Sequence, residues 1–111
     1  MHLQVSTSTV ESATVVAAIG ELDLHTAPDL DRALKQATQD QASLVVVDLS
    51  GVDFMDSTGL STIVAAVAAA RGYGGKIAVV ATSAKIMKVF TLTGVDQQVG
   101  IYSSVNEASA S

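Results

Sequence analysis

The sequence predicts a mixed α/β fold: a four- to five-stranded sheet with about four helices, in the order β-β-α-β-α-β-α-β-α. Three observations carry this. Two β-prone segments separated by a short polar stretch open the chain, which suits a hairpin. Short apolar, β-branched runs at Leu44–Val47 and Ile77–Val80 then alternate with segments of helical spacing, which implies parallel strands and crossover helices. Capping residues and glycines fall where the pattern changes period.

In chain order, residues 2–6 alternate weakly with Leu3 and Val5 on one face, and residues 13–19 form a more apolar second strand. The Ser-Thr-Val-Glu-Ser segment connects them. Thr26 is placed to cap a first helix, with Pro28 in its first turn and Asp29 complementing the dipole. Leu30, Ala33, Leu34 and Ala37 follow on one face. Leu44–Val47 reads as a strand covered on both faces and ended by Asp48. Leu60, Ile63, Val64, Val67 and Ala68 mark a second helix, whose alanines at 65–70 permit close packing on the sheet. Gly72-Tyr73-Gly74-Gly75 terminates it as a turn. Ile77–Val80 is another buried strand. Ser83 opens a helix carrying Ile86, Val89 and Phe90, which Gly94 closes. Ile101-Tyr102 is a last short strand, and Ser104-Val105-Asn106-Glu107 is a capping-box pattern for a terminal helix.

The 111 residues fit one domain, 1–111, with no linker or internal repeat. A chain of this length buries about 65% of its unfolded surface, enough for a core without staples. Apolar residues are 49% and charged residues 15% of the chain, so disorder is not expected. A net charge of −5 argues against nucleic acid or an anionic membrane as a direct partner. There is no cysteine, which removes thiolate catalysis and thiolate metal sites. The opening Met-His-Leu-Gln-Val-Ser-Thr lacks the features of a signal peptide, and the apolar run Ile63–Ala70 is too short to span a bilayer. The expectation is a soluble cytoplasmic domain.

The chemistry concentrates at Asp56-Ser57-Thr58-Gly59-Leu60. A serine between the end of an apolar strand and the start of an apolar helix holds its Oγ outside the core, near unpaired N–H groups of the first turn. A phosphate placed there meets a positive local potential and brings about −1.5 to −2 charges to one spot. The plain alternative is that Ser57 is simply a favourable helix-start residue. Asp56 is most simply the N-cap. Thr58 is a capping or buried threonine before it is a second acceptor. Gly59 either admits a partner backbone or relieves crowding. Phe54 is expected in the core and Met55 as an exposed, adaptable contact. Asp53 and Asp48 are loop and strand-end polar groups, and Asp23 is a turn residue on its own evidence. His2 and His25 lack metal-ligand company, and neither a nucleophile elbow nor a P-loop occurs, so no cofactor, metal or catalytic residue is expected. A receiver-like domain phosphorylated on Asp48 is the enzyme-class alternative. Against it, no acidic pair follows the first strand.

The element order and three local patterns resemble the STAS domain family of anti-sigma factor antagonists. They are Gly20-Glu21-Leu22-Asp23 with Thr26-Ala27-Pro28; Val47-Asp48-Leu49-Ser50 through Asp53 with Asp56-Ser57-Thr58-Gly59-Leu60; and Thr93-Gly94-Val95 with Ile101-Tyr102. The resemblance implies a partner-switching protein and not an enzyme. The unphosphorylated form would bind an anti-sigma factor that is itself a GHKL-type serine kinase, releasing the sigma factor. Phosphorylation of Ser57 would end binding and a serine phosphatase would restore it. The implied partner-binding surface comprises Asp23, Thr26, Asp53, Met55, Asp56, Ser57, Thr58 and Gly59. The family also contains unphosphorylated interaction modules of transporters and of larger stress complexes, which this pattern does not exclude.

Overall fold

The expected element order is the one observed in a computed structural model, which describes residues 2–110. Strands β1 (Leu3–Val10) and β2 (Ala13–Leu22) form the hairpin, followed by α1 (Ala27–Gln39), β3 (Leu44–Met55) and α2 (Ser57–Arg71). Then come β4 (Lys76–Val80), α3 (Ala84–Thr93), a single 3₁₀ turn over Val95–Gln97, β5 (Gly100–Tyr102) and α4 (Val105–Ser109). The five strands lie in sequence order, β1 antiparallel to β2 and the remainder parallel. Right-handed crossovers through short helices are what parallel neighbours of consecutive number require.

The sheet separates two cores of unequal size. On one face Val16, Ala18, Leu22, Val45, Val47, Leu49 and Val79 pack under Leu30 and Leu34 of α1, Ile63 and Val67 of α2, and Ile86 and Phe90 of α3. On the other, Ala13, Val15, Val46, Ala78 and Val80 pack with Ala108 of α4. With two phenylalanines and no tryptophan in the chain, aliphatic interdigitation fills both layers.

Four boundaries depart from the sequence reading. The hairpin is tighter: β1 and β2 remain paired out to Val10 opposite Ala13, leaving Glu11 and Ser12 as the turn, with Glu11 at a φ of 56°. The Ser and Thr residues of positions 6–9 continue the exposed strand and do not form a loop. The buried face of α2 runs through Leu60, Ile63, Ala66, Val67 and Ala70, while Ala68 is exposed. Helix α1 packs beside α2, and the small Ala66 and Ala70 turn towards it. A 3₁₀ turn after Gly94, unmarked in the sequence, buries Val95. Lastly, Asp48 does not end β3.

Strand β3 continues seven residues beyond Asp48 because its two neighbours differ in length. Pairing with β4 stops at Asp48 opposite Val80, but pairing with β2 runs on to Met55 opposite Leu22. Two irregularities interrupt that second stretch, between Ala17 and Ile19 and between Gly20 and Glu21, and each places one additional residue on β3. An extra residue reverses which side chains face the core. The positions facing the larger core are therefore Val45, Val47, Leu49, Val52 and Met55, a two-residue spacing that becomes three. The Asp48 carboxylate accepts from the Ser50 N–H at 3.0 Å and serves the first bulge. At the second, Gly20 adopts a φ of 122°, and a side chain there would collide with the His2 carbonyl.

Phe90 is fully buried at the centre of the larger core. Phe90→Ala is expected to lower unfolding free energy by about 3–5 kcal/mol, read from urea denaturation.

Candidate functional site

The carboxyl ends of β2 and β3 lie side by side, and the site is built where they stop. Leu22 pairs with Met55, and the Asp56 N–H donates to the Leu22 carbonyl at 3.1 Å, so Asp23 and Asp56 leave the sheet together. No loop intervenes before α2. The anticipated loop from Asp53 to Ser57 is instead the end of β3 plus one residue, Asp56.

Asp56 takes the N-cap role read from the sequence. Its backbone is extended (φ −101°, ψ −176°), its Oδ1 accepts from the Gly59 N–H at 3.0 Å, and its carbonyl accepts from Leu60 N–H at 3.1 Å. Ser57 is therefore the first helical residue. It is exposed, its carbonyl accepts from the Ser61 hydroxyl at 2.9 Å, and among the described residues nothing engages its Oγ. The α2 N-terminus supplies free N–H groups and a positive partial charge beside that hydroxyl. Thr58 is half-buried on the next position.

Gly59 resolves its two readings in favour of crowding. It is buried, and a Cβ there would stand 2.5 Å from Leu22 Cγ and 3.2 Å from the Leu22 carbonyl oxygen. The glycine lets the first turn of α2 rest on the exit of β2. Met55 and Phe54 exchange their expected roles. The second bulge turns Met55 inward, 6% exposed, so it is not the exposed contact anticipated, and leaves Phe54 half-buried rather than in the core. Lys85 of α3 lies over the Phe54 ring at 5.6 Å, a contact worth about 0.5–1 kcal/mol at such a site. Asp53 is exposed beside it.

On the β2 side, Asp23 and Thr26 hold the turn into α1. The Asp23 Oδ1 accepts from the His25 N–H (2.9 Å) and the Thr26 N–H (3.0 Å), with the Thr26 hydroxyl 3.2 Å away. Thr26 is at the N-cap position, as expected, but does not cap through its side chain. Its hydroxyl accepts from the Asp23 N–H at 2.9 Å and lies 2.7 Å from the Glu21 carbonyl, to which it donates. Both residues are buried. Burial of Asp23 works to raise its pKa, but the N–H groups of Thr26 and His25, the Thr26 hydroxyl and the His25 charge outweigh it, and the carboxyl titrates below its ordinary 3.8.

This turn displays one residue that sequence reasoning passed over. Leu24 is 64% exposed between Asp23 and His25, next to the β3–α2 junction. Its signal was an apolar residue set inside a polar turn. Lys85 was also missed, since only the fold brings α3 to Phe54. Asp48 lies within β3 with its carboxylate committed to Ser50, which does not suit a phosphoaspartate at a strand's carboxyl end. Among the described residues, no three His, Asp or Glu side chains gather as a metal set, and no helix is long and apolar enough to cross a membrane.

Two variants test this geometry. Gly59→Ala is expected to destabilise by about 1–3 kcal/mol, because α2 must lift off Leu22; chemical denaturation reads it. Asp23 contributes stability that is present above pH 3.8 and lost as pH falls through its lowered folded value. Asp23→Asn is therefore expected to flatten the acid limb of the stability profile below about pH 4, and an unchanged limb would contradict the assigned hydrogen bonds.

The comparisons with known proteins agree with this architecture. The STAS domain family model matches residues 4–108. An anti-sigma-B factor antagonist of Staphylococcus aureus (strain NCTC 8325 / PS 47) is 33% identical over 94 residues, 85% of this chain and 87% of the relative. The crystal structure of an anti-sigma factor antagonist from Mycobacterium paratuberculosis superposes with a TM-score of 0.91 at 28% identity, covering 98% of this chain and 92% of that one. The Bacillus cell fate determinant SpoIIAA in its phosphorylated form shares the fold, with a TM-score of 0.73 at 20% identity over 98% and 97% of the two chains. With the family model spanning nearly its whole length, this chain belongs to the STAS domain family.

Proposed function

We propose that the chain is an anti-sigma factor antagonist whose binding is switched by phosphorylation of Ser57. The carrying observation is the position of that hydroxyl: exposed, unengaged, and first in a capped helix next to the Asp23 turn. The named functions of the Staphylococcus and Mycobacterium relatives support the class of partner. Unphosphorylated, the chain binds a GHKL-type anti-sigma factor in the cytoplasm and frees the sigma factor. The partner's own ATP and magnesium perform the transfer, so the chain supplies an acceptor and no catalytic group or cofactor. A serine phosphatase reverses the modification. Nucleic acid and membrane are not contacted directly.

The binding surface on this reading is the Asp23–Thr26 turn, Asp53, and the start of α2 at Asp56, Ser57 and Thr58. Leu24 takes the apolar contact role that buried Met55 cannot fill. Thr26, Met55 and Gly59 shape this surface from beneath. Its charges are already acidic at Asp23, Asp53 and Asp56, so a phosphodianion adds like-charge repulsion and a desolvation cost at the contact. A loss of about 1–3 kcal/mol changes affinity about 5- to 150-fold.

Pull-downs with wild-type, Ser57→Ala and Ser57→Glu baits, read by mass spectrometry, test the switch. The wild type and Ser57→Ala are expected to retain a GHKL-type kinase and Ser57→Glu to lose it. With Mg-ATP, phosphate should appear on Ser57 of the wild type alone. Equal retention by all three baits overturns the switch and returns the chain to an unphosphorylated STAS module.

A further inference from the structure

The sheet has two edges, and they are not alike. β5 offers three residues, whereas β1 offers eight. The Glu21 N–H donates to the His2 carbonyl at 3.0 Å, within a ladder that pairs Leu3 with Gly20. That fixes the phase of the hairpin: even-numbered residues of β1 bond β2, and the N–H and C=O groups of Leu3, Val5, Thr7 and Thr9 point out of the sheet. Natural sheets shield such an edge with lysine, proline, bulges or inward charges. Leu3–Val10 contains no charged residue and no proline, and its pairing with β2 is regular throughout. In a chain of net charge −5, this uncharged strip is where two copies approach with least repulsion.

Beneath the edge, between β1 and α1, lies an open groove of about 460 Å³. Leu3, Val5 and Ala33 line it, with Asp29 and Arg32 paired at 3.4 Å on its rim. The rim thus carries one charge of each sign and presents no net charge to a copy of itself.

We propose that β1 is a self-association edge, on which a second copy of this chain docks its own β1 antiparallel about a two-fold axis through Ser6. Identical antiparallel strands are self-complementary. In this register Val5 meets Thr7 of the second copy and Leu3 meets Thr9, so every outward N–H finds an outward carbonyl. The two sheets become one, continuous across the axis. Ser57, two strands inward at the end of β3, stays outside the contact. A strand of this length, about 27 Å, with its groove falls below the roughly 800 Å² per partner of a standard interface. The association is accordingly weak and concentration-dependent.

Thr7→Pro is the discriminating variant. The Thr7 N–H points away from β2, so proline removes no ladder bond within the protein and deletes two bonds across the dimer. Thr7→Lys is a second, fold-neutral way to protect the edge. Sedimentation equilibrium from about 10 µM to 1 mM should show a reversible wild-type dimer, weakened at least about tenfold in both variants. Amide exchange at Val5 and Thr7 of the wild type should slow as concentration rises. A wild type that stays at single-chain mass across the range, or a dimer that Thr7→Pro and Thr7→Lys leave equally tight, overturns the proposal.

Discussion

The bulged parallel pairing between β2 and β3 is the constraint on which the site depends. Without the two extra residues on β3, its buried positions would continue in steps of two past Leu49 through Gly51 and Asp53, and Val52 would face away from the helices. With them, Val52 turns into the core and Asp53 out of it, Met55 pairs with Leu22, Asp56 bonds the Leu22 carbonyl, and the next residue begins α2. Ser57 is exposed as the first residue of the helix that Asp56 caps where the two strands stop. Bulges near functional sites commonly re-aim a side chain in this way. The close approach of α2 at Gly59 then locks the helix start against β2.

The local hydrogen bonds make the site rigid before any partner arrives. Asp23 spends its Oδ1 on two backbone N–H donors within its own turn, and Asp56 spends its Oδ1 on Gly59. Neither carboxylate is therefore free to rearrange cheaply around a new charge, since releasing a buried or capped acceptor leaves its donors unpaired. The Ser57 hydroxyl, by contrast, carries no hydrogen bond among the described residues. On the proposed function, charge added there would act by direct repulsion and desolvation at the surface. On that reading modification changes what the surface binds without changing the shape that presents it.

Much of this was legible in the sequence because it rests on local chemistry. Asp56 as cap, Ser57 as the exposed first helical residue, Gly94 at the end of α3 and Ser104 accepting from Glu107 N–H all follow from residue type and spacing. What was hidden depends on pairing between distant strands. Asp48 reads as a terminator, but a polar residue is tolerated inside β3 where β4 ends and its carboxylate serves a bulge. The inward turn of Val52 and the outward turn of Asp53 follow from the two bulges, and alternation cannot reveal them since the face changes partway along the strand and changes back before Met55. Thr26 likewise looks like a side-chain cap, yet the buried Asp23 claims its hydroxyl. The role of Leu24 emerges only once its neighbours are seen to turn inward.

The central claim, that the switch is a local charge change on a preformed surface, is tested most directly by comparing backbone amide spectra of the protein with serine and with phosphoserine at position 57. The account predicts shifts confined to residues 22–26, 53–61 and the neighbourhood of Lys85, with the cores around Phe90 and Val46 unmoved. Shifts spreading through α1, β4 and α4 would show a refolded or repacked phosphorylated state and would contradict it.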